Sequence, residues 1–201
     1  MMIGKHLLST VLILLMSVSI CAAQSMEFDL SAGTTSVAGG VQFRKPLATG
    51  FMKIGLSGVC TDDDDMEYQW GNLSFVVGSD TLAPGLSVEV GLKGIFGSAE
   101  DNGYSGDVGA AAFTGRAGYI FPRRIMPVPL EVFGGVAYAP EPLSFMDTES
   151  YTEIFLGAGL RIIENASVVI SLHSYEVEME EGPGDWELDD EVIRAGVVLR
   201  F

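Results

Sequence analysis

Isolated charges stand inside otherwise apolar segments of this 201-residue chain. They are Glu27, Asp29, Arg44, Lys53, Glu89, Lys93, Arg116, Glu131, Glu153, Arg161, Arg194 and Arg200. Each sits at an alternate position to Leu, Ile, Val or Phe, as Glu89 and Lys93 do in Leu86-Ser87-Val88-Glu89-Val90-Gly91-Leu92-Lys93. On a strand, alternate side chains take opposite faces, so the charges are expected to share one face and the apolar residues the other. An ion held alone in a low-dielectric interior is costly, so such residues pair or stay hydrated. Arg44, Lys53, Arg116, Arg161 and Arg200 fall towards one end of their segments, where Glu27, Asp29, Glu89 and Glu131 can meet them. The chemistry this predicts is a ladder of ion pairs fastening strands together, or, with the same residues, the lining of a narrow water path.

Other reactive combinations are sparse, and no catalytic residue or cofactor is predicted. His173-Ser174 are neighbours on a strand and point to opposite faces, so they cannot act as base and nucleophile on each other. His173 is instead expected to share an inward polar face with Ser171 and Tyr175. The run Asp62-Asp63-Asp64-Asp65, with Glu67, supplies carboxylate oxygens for a divalent cation but lacks the spacing and Gly turn of a calcium loop. A solvated, mutually repelling loop is the favoured reading, with a loose hold on divalent ions beside anionic lipid as an intermediate one. The same weighing applies to Glu180, Glu181, Asp185, Glu187, Asp189 and Asp190, with Trp186 as a loop anchor. Cys60 is read as a small buried hydrophobe. No phosphate-binding Gly loop, nucleotide fingerprint or metal-spaced His/Cys cluster is present.

The composition narrows the class of protein. A formal charge of -16 excludes the clustered Lys and Arg that nucleic acid requires. Hydrophobic residues nevertheless make up 48%, with a mean hydropathy of +0.33, which is far from the composition of acidic disorder. At the N-terminus, Lys5 and His6 precede an uncharged apolar stretch from Leu7 to Ile20 and the small residues Ala22-Ala23. That is the pattern of a secretory leader spanning 1–23, with cleavage expected before Gln24. Cys21 is not expected to be lipidated, because Ile20 before it is too large for that processing.

After Gln24 the period is that of strands, expected near 26–33, 35–44, 51–61, 67–78, 85–97, 107–121, 128–139, 151–163, 167–178 and 191–201. Their lengths suit tilted bilayer-crossing strands. Even-to-odd connections are tight, as at Lys45–Thr49, Asp80–Gly85 and Glu164–Ala166. The intervening ones, Thr61–Met66, Ser98–Gly106, Ala139–Ser150 and Glu178–Asp190, are expected to be longer acidic loops. Apart from the inward acids and Asp80 and Glu164, the carboxylates collect on that second rim with no base among them. The expected fold is therefore all-β: a closed antiparallel up-and-down transmembrane barrel of eight to ten strands, ten favoured, with the first hairpin over 26–44 the open question. Small barrels are filled by side chains, and ten strands leave little more room.

The last segment, Arg194-Ala195-Gly196-Val197-Val198-Leu199-Arg200-Phe201, alternates up to a terminal aromatic. With Gly196, Leu199 and Phe201 it has the form of the C-terminal signal read by the outer-membrane assembly machinery. Tyr119 and Phe121 beside a tight turn suit an aromatic girdle at the lipid interface. Ordinary strand-end aromatics would look the same if they stood alone.

Several stretches carry a family resemblance. They are Leu130-Glu131-Val132-Phe133-Gly134-Gly135, Ala139-Pro140-Glu141-Pro142-Leu143-Ser144, Ser150-Tyr151-Thr152-Glu153, Gly157-Ala158-Gly159-Leu160-Arg161, His173-Ser174-Tyr175 and Val197 to Phe201. In these the chain resembles the YfaZ family of small bacterial outer-membrane proteins, over 130–201 by motif and over the first half by pattern. The resemblance implies an outer-membrane barrel of porin-like or structural type with no assigned reaction, and transfers no catalytic residue. The partners expected are outer-membrane lipid, the assembly machinery during biogenesis, and divalent cations at the acidic loops. The alternative reading is a closed barrel whose acidic loops bind divalent cations, lipid headgroups or a surface partner; a lipid-modifying enzyme and a soluble secreted barrel that carries a small ligand carry less weight.

Overall fold

The computed structural model describes residues 25–63, 66–122, 124, 128–181 and 184–201. The expected leader over 1–23, together with Asp64 and Asp65, lies outside them. The described chain forms strands β1 (Ser25–Ala32), β2 (Ser36–Leu47), β3 (Gly50–Asp63), β4 (Met66–Ala83), β5 (Leu86–Asp101), β6 (Tyr104–Ile120), β7 (Leu130–Ala139), β8 (Ser144–Met146), β9 (Thr148–Ile163), β10 (Ala166–Glu181) and β11 (Gly184–Arg200). Every pairing is antiparallel and follows chain order, β1 pairs with β11, and β5 pairs with β6, so the sheet closes on itself. β7 and β8 are one interrupted staff. Both run antiparallel to β6, at 113–120 and 108–110, and a short 3-10 turn at Glu141–Leu143 separates them. The described residues thus build a ten-staved barrel, including two full strands from the first hairpin.

Closure follows from the lipid face. Phe28, Leu30, Leu73, Phe75, Val90, Leu92, Ile154, Leu156, Ile170 and Val197 are all exposed on the outer wall. Apolar side chains in that number are tolerable only against hydrocarbon, and in hydrocarbon an open sheet edge would leave N–H and C=O groups without partners. The seam between first and last strands satisfies them. Met26 and Phe201 exchange both backbone hydrogen bonds, at 2.8 and 2.7 Å. Phe28 meets Phe201 edge-on, with ring centroids 6.1 Å apart. Near the tight turns, Tyr119 and Phe121 pack edge-to-face at 5.0 Å.

The acidic connections are strands, not loops, which corrects the sequence expectation. Asp62 pairs with Glu67 and Asp63 with Met66, Asp101 pairs with Tyr104, and Glu181 pairs with Gly184. The β5–β6 hairpin turns through Asn102 and Gly103, at φ 50 and 84°, the left-handed pair of a tight hairpin. The segment expected as an Ala139–Ser150 loop holds the 3-10 turn and β8. The physical reason is that a strand leaving lipid need not end. Along β11 the outward residues run Leu199, Val197, Ala195, Ile193 and then Glu191, Asp189, Glu187, and the pairing with β10 continues without a break. Charge marks where the wall meets water, not where the strand stops. Cys60 is a second correction. It is exposed, not buried, because its parity on β3 puts it on the outer face opposite Gln69.

Gly196 is fixed by the seam. A Cβ there would lie 2.3 Å from the Leu30 carbonyl oxygen and 2.6 Å from the Ser31 Cβ. Gly196→Val is expected to prevent β1 from docking on β11, and so to remove the faster-migrating unheated band that a folded barrel shows on a gel. Gly115→Ala, where a Cβ meets nothing within 4 Å, is expected to keep that band. A Gly196→Val protein with an intact heat shift would contradict this account of the seam.

Candidate functional site

The barrel interior changes character with height. Nearest the rim that carries residues 25 and 201, called here the terminal rim, Arg44 meets Asp80 at 2.6 Å with both groups part-exposed. Asp80, expected in a tight turn, belongs to β4. Just above, Lys53 of β3 binds Glu89 of β5 at 2.6 Å across the intervening strand. Arg200 is the hub of the seam. It reaches Glu27 of β1 at 2.7 Å and Glu131 of β7 at 3.1 Å, and donates to Ser167 of β10 at 2.8 Å. Arg161 approaches Glu131 from β9 at 3.6 Å. Two carboxylates and two guanidiniums therefore tie β1, β7, β9 and β11 at one level. Breaking such a part-buried pair on one side leaves an uncompensated ion, which is why these contacts hold register as well as attract.

Higher up, Lys93 of β5 binds Glu153 of β9 across the bore, and Glu153 also accepts from the Tyr151 hydroxyl at 2.9 Å. His173 stacks between Phe155 and Tyr175, and its Nε2 lies 3.1 Å from Ser171 Oγ. Its Nδ1 is 3.4 Å from the Tyr175 hydroxyl and 3.8 Å from Glu153. The sequence had excluded a His173–Ser174 pair; the structure instead brings Ser171, two residues away on the same face, to the imidazole. Serine, imidazole and carboxylate together suggest acyl transfer, but Glu153 is committed to Lys93 and Tyr151. The surrounding backbone N–H groups are held in the sheet ladder, so none is left to cradle an oxyanion.

Arg194 is almost fully buried at the same height. Its Nε donates to Ser36 Oγ at 2.6 Å and its Nη1 to the Tyr175 hydroxyl at 3.0 Å, which holds the tip of the short β1–β2 hairpin against β11. Among the described residues, Arg194, Arg116 and Asp29 are the predicted interior charges with no opposite charge within 4 Å. Arg116 lies over the Phe133 ring, 5.1 Å from its centroid.

Above Arg194 the bore is filled. Tyr68 and Trp70 stack at 4.2 Å and meet Tyr175 and Tyr151 edge-on. Val59, Ile95, Val108, Val177, Met179 and Leu188 complete a buried apolar layer around them. Tyr68 crosses to donate to Asp190 at 2.7 Å. Sequence reasoning missed this layer because it took every inward position for polar. The signal was present in the alternation of Tyr68 and Trp70 with Glu67 and Gln69, and of Val177 and Met179 with Glu176 and Glu178. Above the lipid, the two faces exchange roles.

Beneath the layer lie two cavities that share lining residues. One, of about 310 Å³, is bounded by terminal-rim residues such as Ser25 and Gly85 together with Arg44, Lys53 and Arg116. The other, of about 250 Å³, continues from Glu27 and Arg116 up to Glu153, His173 and Arg194. On the acidic rim, Asp62 and Asp63 diverge to opposite faces of β3, and the described residues form no cluster of three metal-ligand side chains.

Comparison with known proteins follows from this architecture. The chain is similar to a NanC porin solved in a rhombohedral crystal form, with 9% identity, a TM-score of 0.42, and coverage of 87% of this chain and 98% of that one. It is also similar to a protein solved in a study of in-meso crystallization of membrane proteins (10% identity, TM-score 0.46, coverage 88% and 82%). The translocator domain of the autotransporter NalP from Neisseria meningitidis is a third (13% identity, TM-score 0.39, coverage 88% and 86%). No curated protein matches. Residues 4–201 match the family described as YfaZ precursor. The chain belongs to the YfaZ family of small outer-membrane β-barrel proteins.

Proposed function

We propose that this protein is a structural outer-membrane barrel, closed to through-flow, whose lower bore is a blind, charged vestibule open at the terminal rim. The observation that carries this reading is the buried aromatic layer of Tyr68, Trp70, Tyr151 and Tyr175 across the bore. A water path needs polar walls and a continuous gap. Stacked rings with Met179 and Leu188 at zero exposure offer neither. The ion pairs below are the fastening ladder rather than a conduction lining, because most of their charges are spent on one another at 2.6–3.6 Å.

The remaining parts fit that role. The leader over 1–23 is removed on export, Gly196, Leu199 and Phe201 form the signal read during assembly, and the lipid belt then seats the barrel in the outer membrane. By the usual orientation of such barrels, the terminal rim faces the periplasm and the acidic hairpins face outward, where they meet divalent cations and lipid headgroups. In this reading the protein acts without catalysis: Glu153 is committed to Lys93 and Tyr151, and the backbone N–H groups beside Ser171 and His173 are held in the sheet ladder.

Planar-bilayer recording of the refolded 24–201 protein is expected to show no stepwise conductance. A Trp70→Ala/Tyr151→Ala variant removes two rings from the seal and is expected to pass steps that favour cations, because the acidic mouth concentrates them. Each substitution also costs about 3–5 kcal/mol of packing, so recordings are made at low temperature on protein that retains its heat shift. Steady conductance from the wild type would overturn the closed reading. Deletion of Phe201 is expected to lower the yield of assembled barrel in the outer membrane by about tenfold or more, a free-energy difference of about 1.4 kcal/mol if assembly is at equilibrium. Unchanged assembly would remove the terminal signal from the account.

A further inference from the structure

The seam leaves part of one strand unpaired. β1 pairs with β11 only as high as Ala32–Ala195, and the first hairpin turns over at Gly33–Thr35, whereas β11 continues to Gly184 with β10 on its other side. In an antiparallel sheet the N–H and C=O of one residue point to one neighbouring strand, and those of the next residue to the other. Phe201 exchanges both its hydrogen bonds with Met26 on the β1 side, and Arg200 donates to Asn165 on the β10 side. The register with β10 is unbroken, so the N–H and C=O of Glu187, Asp189 and Glu191 point to the β1 side, above the end of β1. Among the described residues, no backbone hydrogen bond meets them there. Their side chains face outward and are exposed. This free edge starts just above Ile193, the last apolar residue of the outer wall on β11, so it lies in water, where an unpaired edge is tolerated. Behind it the Tyr68 hydroxyl closes on Asp190 and Arg194 on Ser36, so the gap does not open into the packed layer.

We infer that the free edge of β11 is a docking surface for an extended basic segment of another protein, which joins the sheet as a strand beside Glu187, Asp189 and Glu191. Strand addition pairs main-chain donors and acceptors in a row, and side chains at alternate positions give the specificity. The outward positions of such a strand lie beside these three carboxylates, and Glu176 and Glu178 of β10 stand directly opposite Asp189 and Glu187. Like charges paired across two strands repel, and Lys or Arg on the added strand relieves that repulsion. The same charge decides against a second copy of this chain, whose own β11 would set carboxylates against carboxylates. The positions between face the covered inner side and take small residues. The inference adds a partner to the acidic rim of the proposed function and does not depend on the aromatic seal. Failure of the seal would show as conductance and leave peptide binding untouched, and absent peptide binding would leave the seal standing.

The test is fluorescence anisotropy of a labelled peptide alternating Lys and Thr, titrated with the refolded 24–201 protein in nonionic detergent at low salt. One saturable site is expected, and a carbon-13 carbonyl label in the peptide is expected to move to the infrared position of a paired strand on binding. The same peptide with its Lys backbone amides N-methylated keeps the charge without the donors, and is expected to bind about tenfold or more weakly. Asp189→Pro removes a donor on the free side only, because residue 189 points away from β10. Proline is tolerated on such an edge and blocks pairing there, so this variant is expected to keep its heat shift and to lose about tenfold or more in affinity. Glu178→Gln removes the carboxylate opposite Glu187 but leaves the edge intact, and is expected to change binding by no more than about threefold. No saturable binding to wild-type protein, equal binding of the N-methylated peptide, or wild-type affinity in a folded Asp189→Pro protein would each overturn the strand addition, the last two by leaving charge attraction alone. A dimer seen by light scattering without peptide would place a second copy on the edge and overturn the choice of partner. If Asp189→Pro loses its heat shift, the N-methylated peptide on wild-type protein still decides the question.

Discussion

The constraint on which the rest of this structure depends is that no backbone polar group can be left open to hydrocarbon. A sheet whose outer wall is Leu, Ile, Val and Phe has to close, and here the closure is short: β1 meets β11 only from Glu27–Arg200 to Ala32–Ala195, extended at its foot by Met26 and Phe201. Three different forces meet at that seam. Backbone hydrogen bonds join the strands, Phe28 and Phe201 pack on the lipid side, and Arg200 binds Glu27 and Glu131 on the inner side. Arg200 is therefore more than a lumen charge. It connects the last strand to the first and to β7.

The second organising feature is the exchange of faces along each strand. Within the lipid, apolar residues point out and ions point in. Beyond it, carboxylates point out and aromatic and aliphatic residues point in, so the top of the barrel is packed like the core of a water-soluble one. The two halves serve each other. The packed layer fixes the strand extensions that carry the acidic hairpins, and it isolates the ionic half from the outer rim. Arg194 sits where the two regimes meet. It is bound to Ser36 on one side and Tyr175 on the other, and it ties the tip of the first hairpin to the wall where the packed layer begins.

This arrangement also separates two uses of interior charge. Pairs such as Lys53–Glu89 and Lys93–Glu153 link non-adjacent strands and contribute mainly to shape. Arg116 and Asp29 make no ion pair within 4 Å; Arg116 instead lies over the Phe133 ring and faces Asp29 across the same cavity.

Strand parity, and with it the closed barrel, was legible in the sequence because it is a local property: period 2 is set by the backbone of each strand alone. Glu89, Lys93 and Arg161 could be assigned to a face from their immediate neighbours. The tertiary structure decided what parity cannot carry. Which ions pair depends on register across the bore, so Arg44 turned to Asp80 and Arg200 to Glu131, partners 36 and 69 residues away. Where the wall leaves the lipid depends on height, which one strand does not encode, so acidic strand extensions looked like loops and Cys60 looked buried. The aromatic seal was hidden for the same reason. Tyr68, Trp70, Tyr151 and Tyr175 come from three strands, and only the closing of the ring brings their rings together.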